Sequence, residues 1–403
     1  VNAVKKLILI GNFPLDRQES MLRFENALAQ GFAARGIALE TWRPTPFFVK
    51  GVRHYRYGGL PKYLSYLDKF LRFPRELRRR SRAQPAGTVF HIIDHSNAVY
   101  APALAAVPLL VTVHDLLPIR AARGEFPQSR PGRSGVKYQE WILRNLARLR
   151  AAACVSEKTR QDLQRLAGLS DASVAVVPNS LNYPYAPMPA DDARSMLHHA
   201  LARQLPPAEV TSFAPHLKAD GFLFGIGGAQ WYKNRTGLIA ILAALREHHA
   251  SPLPLLYAGP AFDPEQEMLI AQHGLRESIF RIQNLSNEEL RAAYSLAAGL
   301  IFPSWEEGFG WPVAEAQACG CPVFTSNRAP MTEVGGDAAV YLDPADPRDA
   351  ASRISAALAN PAPLRAAGLA RAVRWAPDAM LDAYQELYSL LVAHPHREPF
   401  SAR

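Results

Sequence analysis

Glu307 and Glu315 stand eight residues apart around Gly308-Phe309-Gly310-Trp311-Pro312, a spacing that suits the capture of a phosphorylated sugar. The apolar run 298–303 before them is long enough for a buried strand and too short for a helix. The loop therefore leaves a strand end. Gly308 and Gly310 permit positive φ and a close approach of backbone N–H groups to a ligand, while Pro312 suits the first turn of a helix, where its missing donor costs nothing. Glu315 is then expected in that first turn. Free amides and the positive end of the helix dipole favour an anion, which puts a diphosphate over residues 308–313 with a carboxylate on either side to accept sugar hydroxyls. Taken alone, the same residues also fit a plainer account, in which Glu315 complements the dipole and Glu307 is solvated.

Other residues carry weaker signals. Gly225-Ile226-Gly227-Gly228 follows a short apolar run, and Lys233-Asn234-Arg235 opens the next helical pattern. A glycine turn with a lysine at a helix start suits a diphosphate, although a tight turn with a solvated lysine has the same sequence. His114 ends the strand-like run Leu109–Val113; such a histidine is either a ligand contact or a satisfied structural residue. Gly11-Asn12 closes the first strand, where its backbone suits a phosphate or acceptor contact and Asn12 equally forms a turn. His91 and His95 flank Asp94 in no recognised metal pattern. The chain has no Asp-x-Asp and no cluster with metal-ligand spacing, so catalysis without a metal or other cofactor is expected.

The elements that must position these residues follow from the hydrophobic pattern. Apolar runs at 7–10, 89–93, 109–113 and 174–177 alternate with helical patterns at 21–34 and 141–149, and a second alternation runs through 222–224, 255–257, 299–302, 322–325 and 339–342. Strands alternating with helices imply parallel sheets covered on both faces. Ser156 is a candidate N-cap, Ser286 and Glu289 form a capping box, and residues 178–189, rich in Pro, Asn and Tyr, read as a linker. The fold expected is α/β, with two doubly wound Rossmann-like domains facing across a cleft. At 403 residues and 48% hydrophobic content the chain can bury two cores. Cys154, Cys319 and Cys321 offer neither a disulfide framework nor a metal set, and are expected to be buried. No small-residue cleavage site follows the first strand, which gives a cytoplasmic expectation. The first strand is not followed by Gly-x-Gly-x-x-Gly, which argues against a dinucleotide oxidoreductase.

Charge is uneven: residues 1–180 hold 28 Lys and Arg against 13 Asp and Glu, a net +15, and the remainder is −6. The basic half points to an anionic partner. After the break at Gly58-Gly59, Leu60, Tyr63, Leu64, Leu67, Phe70 and Leu71 make one apolar helical stripe, with Pro61 in the first turn and Arg75, Arg78, Arg79, Arg80 and Arg82 beyond Pro74. Residues 60–82 can lie on an anionic membrane, making the protein peripheral on the inner face of the plasma membrane; the pattern equally describes a helix packing its stripe on the core.

Segment 279–344, with Leu285-Ser286-Asn287-Glu288-Glu289-Leu290, Glu307-Gly308-Phe309-Gly310 and Glu333-Val334-Gly335-Gly336-Asp337 in order and in spacing, resembles the donor-binding half of retaining glycosyltransferase family 4 (glycosyltransferase group 1). That family carries a Glu, seven residues, Glu signature, matched by Glu307 and Glu315. The resemblance implies a GT-B fold: an acceptor-side domain over 1–185, a nucleotide-sugar domain over 186–370, and a final segment, 371–403, whose helix crosses back to the first domain. It implies retaining, metal-independent transfer of a hexose of mannose or glucose type from a nucleotide-diphosphate sugar to a saccharide or lipid-linked saccharide acceptor, in cell-surface polysaccharide synthesis and with no nucleic acid partner. Glu307 and His114 would meet the reacting sugar, and Lys233, Gly228, Arg235, Gly308, Phe309, Gly310, Glu315 and Gly11 would serve the donor. Many members place an arginine where this chain has Gly228, so Arg235 or another group must supply the second charge. An epimerase or sugar phosphorylase of the same fold, or a sugar-nucleotide binding protein without turnover, are the alternatives.

Overall fold

A computed structural model describes residues 4–16, 18–50, 59–248, 253–394 and 400, with the side chains of Gly59, Leu60 and His248 excepted. Gly58 and the Leu60 side chain, named above, lie outside that description. Val1–Asn182 with Pro377–Arg403 form one compact unit, and Tyr183–Ala376 form the second.

The first unit is built on six parallel strands, β1 (Lys6–Ile10), β2 (Ala38–Trp42), β3 (Thr88–Ile92), β4 (Leu109–Val113), β5 (Ala152–Cys154) and β6 (Val174–Val176), in the order β2-β1-β3-β4-β5-β6. Its central strands are mostly apolar because both faces are covered, with His91 and Thr112 as buried polar exceptions. Ile8, Ile10, Phe90, Ile92, Val111 and Val113 pack in one core, while Leu7, Leu9, Val89 and Leu110 pack in another against the helix Glu19–Ala34 and the last helix, Pro377–Ala393. That last helix buries Met380, Leu381, Tyr384, Leu387, Tyr388 and Leu391. A buried polar chain locks it to the sheet: His91 Nδ1 meets the Tyr388 hydroxyl at 2.7 Å, His91 Nε2 meets Thr112 Oγ1 at 2.7 Å, and Thr112 Oγ1 meets the Tyr384 hydroxyl at 2.9 Å.

The second unit repeats the plan with β7 (Leu223–Ile226), β8 (Leu255–Ala258), β9 (Ile279–Ile282), β10 (Gly299–Phe302), β11 (Val323–Ser326) and β12 (Val340–Leu342), ordered β12-β11-β10-β7-β8-β9 and all parallel. Both sheets therefore reverse direction once, between β1 and β3 in the first and between β7 and β10 in the second. Ligands in doubly wound sheets bind outside the carboxyl ends of the strands at such a reversal. The expected caps form: Ser156 accepts the Thr159 amide at 3.1 Å, and Ser286 and Glu289 exchange the bonds of a capping box. All three cysteines are free and buried.

The stripe expected from Leu60 to Leu71 is not one helical face. An α-helix (Gly59–Leu67) passes through a π-helical turn (Asp68–Arg72) into a second helix (Phe73–Ser81). Tyr63, Leu67 and Leu71 are exposed, Phe70 turns in against Tyr138 and Trp141, and the buried positions are Ser65, Asp68 and Lys69. The stripe packs on the core only in part: Phe70 lies against it and Phe73 and Leu77 of the second helix enter it, while Tyr63, Leu67 and Leu71 face outward because the wider turn breaks the phase of one continuous stripe. Among the described residues no helix is long and apolar enough to cross a membrane.

Candidate functional site

The reversal in the second sheet brings together the loops after β7 and β10. Lys233 Nζ lies 2.7 Å from Glu307 Oε1, both side chains largely buried, and the ammonium also lies 5.3 Å from the centre of the Phe302 ring. Asn234 makes this meeting possible. It adopts φ 51°, a left-handed conformation that asparagine tolerates, and it caps the helix Arg235–His248 by accepting the Gly237 amide at 3.1 Å. Its Nδ2 donates at 3.0 Å to the Pro303 carbonyl at the end of β10, and the Trp305 amide donates at 2.7 Å to the Tyr232 carbonyl. One loop is thus tied to the other on both sides of the ion pair. Asn234 was visible in the sequence only as a helix-start residue; its bond to Pro303 spans residues far apart in the chain.

The helix after the second loop runs Trp311–Ala318 with Gly310 as N-cap at φ 99°. Gly310 needs its glycine, whereas Gly308 does not adopt positive φ, contrary to expectation. The N–H groups of Phe309 and Gly310 have no partner among the described residues, so the helix start offers donors to an anion. Glu315 is not in the first turn as expected. The helix begins at Trp311, which places Glu315 one turn further in, buried and accepting from the Tyr294 hydroxyl at 3.0 Å. Burial, with the Glu315 carboxylate beside it, holds the Tyr294 phenol well above its ordinary pKa, so it remains the donor.

Three residues expected at the donor are engaged elsewhere. The Phe309 ring is buried against Trp375, centroids 5.4 Å apart, and leaves only its backbone for a ligand. The Arg235 guanidinium stacks 4.4 Å from the centre of the Phe262 ring and donates at 3.0 Å to the Pro260 carbonyl; burial lowers its pKa. The Gly11 amide donates to the Trp42 carbonyl at 2.9 Å, and a β-carbon there would strike the Glu25 carboxylate, so this backbone is spent on the sheet. Gly227 likewise gives its amide to the Ala258 carbonyl at 3.1 Å, and at Gly228 a β-carbon would meet only the flexible end of Gln230.

The reversal in the first sheet is polar. Asn12 Nδ2 donates to Asp94 Oδ2 at 2.6 Å, and Asn97 Nδ2 to Asn12 Oδ1 at 2.6 Å. Beside them opens a cavity of about 420 Å³ lined in part by Asn12, Asp16, Gln18, Lys69, Asn97 and Tyr138. His114 is buried nearby, its Nε2 2.8 Å from the Ile93 carbonyl and its ring edge-on to Phe24. Burial lowers its pKa against the opposing pull of Asp94. The neutral ring donates from Nε2, which leaves Nδ1 for any ligand. Among the described residues no three His, Cys, Asp or Glu side chains gather to hold a metal ion.

Comparison with known proteins bears on the family and the fold. Residues 212–374 match the family described as glycosyl transferases group 1, and residues 25–183 match glycosyltransferase family 4. The chain belongs to glycosyltransferase family 4. Among its family relatives, the O-antigen chain mannosyltransferase B of Escherichia coli is 33% identical over 129 residues, covering 32% of this chain and 34% of the relative. The MMP alpha-(1->4)-mannosyltransferase of Mycolicibacterium hassiacum is 34% identical over 105 residues, covering 25% and 26%. The matched segments thus span about a third or less of these two relatives' own length. Sucrose-phosphate synthase from Thermosynechococcus elongatus superposes with a TM-score of 0.72 at 19% identity, over 96% of this chain and 99% of that one. Anabaena HepE, solved with UDP and glucose, gives 0.68 at 14%, over 96% and 99%. These two likenesses show the two-domain GT-B fold.

Proposed function

We propose that this family 4 protein is a retaining hexosyltransferase that moves a mannose- or glucose-type sugar from a nucleotide diphosphate to a saccharide or lipid-linked saccharide acceptor in polysaccharide synthesis. The observation that carries the proposal is the Lys233–Glu307 pair at 2.7 Å, set at the strand reversal beside the open amides of Phe309 and Gly310. Mannosyltransferase relatives and a neighbour solved with UDP and glucose support the sugar and donor classes.

The pair suggests how a donor would be received. A diphosphate arriving at the helix start takes Lys233 as its cation, and Glu307, released from the lysine, turns its carboxylate to the hydroxyls of the transferred sugar. Glu315, held by Tyr294, binds the nucleotide side of the donor. As the bond between anomeric carbon and phosphate breaks, negative charge grows on the leaving diphosphate, where the ammonium and the fixed amides stabilise it without a metal. His114 contributes a neutral contact to the sugar. The polar cavity around Asn12 and Lys69 suits an acceptor saccharide. The test is incubation of the protein with a panel of nucleotide sugars and oligosaccharide acceptors, reading nucleotide diphosphate release and the anomeric configuration of the product. Acceptor-dependent release with retention supports the proposal. Phosphate-dependent cleavage of the oligosaccharide to a sugar phosphate, with no release of nucleotide diphosphate, would instead make it a phosphorylase.

A further inference from the structure

Between Tyr63 and Leu71 the chain turns outward apolar side chains that a helix ordinarily buries, while Phe73 and Leu77 just beyond join the core. Tyr63 is 66% exposed, Leu67 39% and Leu71 46%, while Asp68 and Lys69 lie inside. The inversion has a structural cause. The Asp68 carboxylate accepts the amides of Phe47 at 3.0 Å and Phe48 at 3.1 Å, and Lys69 Nζ reaches Asp16 at 2.9 Å, so charged groups anchor the segment and the π-helical turn brings Leu71 out beside Leu67. The same anchor presents Phe47 and Phe48 at the flank of the segment, 58% and 42% exposed, with the Arg72 guanidinium 4.8 Å from the Phe47 ring centre.

Single exposed apolar residues are ordinary, but five large ones gathered around one polar anchor mark an interaction surface. Its charge identifies the partner. Arg72, Arg75, Arg78 and Arg79 are exposed along the continuation of the same segment, in a half of the chain that carries a net +15. Arg80 is excluded: it stacks 3.8 Å over Trp42 and pairs with Glu76. Aromatic and leucine side chains projecting beside arginines fit the boundary between headgroups and acyl chains of an anionic bilayer.

We propose that this face docks the protein on an anionic lipid surface, with Tyr63, Leu67, Leu71, Phe47 and Phe48 entering the interface and the exposed arginines taking lipid phosphates. The proposal does not depend on glycosyl transfer. It is tested by co-sedimentation of the full chain, without any sugar donor, with vesicles of phosphatidylcholine alone and with vesicles that also contain phosphatidylglycerol. Binding is expected only to the second and is weakened by salt. The variant Arg75→Glu/Arg78→Glu/Arg79→Glu should lower the partition coefficient by at least about fivefold for each arginine reversed, since each change removes a positive charge and adds a negative one, and Tyr63→Ser/Leu67→Ser/Leu71→Ser should abolish the binding that survives high salt. All six positions are on the surface, and unchanged thermal midpoints identify the variants that keep the fold. Equal binding to both vesicles, or anionic binding untouched by either folded variant, overturns the proposal. So does failure of the native chain to bind anionic vesicles at low salt, which would leave this face to an acidic protein.

Discussion

At the scale of single residues, the account turns on two carboxylates in different states. Glu307 sits in an ion pair that a donor must rearrange, whereas Glu315 is buried and already oriented by Tyr294. Removing the charge from either costs a charge-assisted hydrogen bond, about 1.5–3 kcal/mol. Glu307→Gln is therefore expected to lower kcat by roughly 10- to 150-fold, with Glu315→Gln acting mainly on donor affinity; native kinetics in both folded variants would remove them from the site. Arg235→Ala is expected to act differently. It loses the Pro260 bond and the stack on Phe262, so the thermal midpoint should fall by the equivalent of about 1–2 kcal/mol while donor affinity changes little. A loss of donor affinity without loss of stability would return Arg235 to the phosphate site. Residue types and spacing, together with the family resemblance, singled out Glu307, Glu315 and Lys233 in the sequence. The opposite fates of Lys233 and Arg235, two residues apart, were not legible, because Asn234 in a left-handed conformation turns the chain between them and only the packed strands decide which neighbour each side chain meets.

At the scale of elements, Asn234 and His91 each join pieces of chain that the sequence separates. Asn234→Ala removes a helix cap, at a cost of about 1 kcal/mol, and also the bond to Pro303 that aligns the two loops. The expected result is a raised donor KM together with a lowered thermal midpoint, and a change in stability alone would show that the loops hold their places without it. His91, fully buried between Thr112 and Tyr388, has its pKa depressed from 6.5 to about 3 by burial, with His114 adding to the effect. The unfolded chain takes up this proton as the pH falls through 6.5 and the folded chain does not, so stability is complete above pH 6.5 and is lost toward pH 3 at about 1.4 kcal/mol per pH unit. Burial depresses His114 in the same direction. Urea unfolding at pH 7 and pH 5 should therefore differ by about 2 kcal/mol or more, and equal midpoints with equal slopes would contradict the buried neutral histidine. Long apolar runs revealed most strands. β5 is only Ala152-Ala153-Cys154, too short and small to read as a strand, and β2 is an edge strand whose outer positions are exposed, so neither carries the apolar signature of its neighbours.

At the scale of the whole molecule, two parallel sheets, each with one reversal of strand order, explain why functional side chains gather where they do. That plan was legible from the alternation of apolar runs, since parallel strands buried on both faces must read that way. The sequence left open whether the Tyr63–Leu71 stripe faces the core or the outside, because an even helical period hides the π-helical turn that splits it. Lys233 and the helix start supply the positive potential that a leaving diphosphate needs, so transfer activity is expected to persist in excess EDTA; full loss restored by magnesium or manganese would reveal a metal requirement. The most direct test of the central claim is calorimetric titration of the native chain and of Lys233→Ala with UDP-glucose and GDP-mannose. The account predicts saturable binding of at least one of them at a single site, weakened by about tenfold or more in Lys233→Ala through loss of a charged phosphate contact. Binding of neither sugar nucleotide to the native chain, or equal affinity in a folded Lys233→Ala variant, would contradict it.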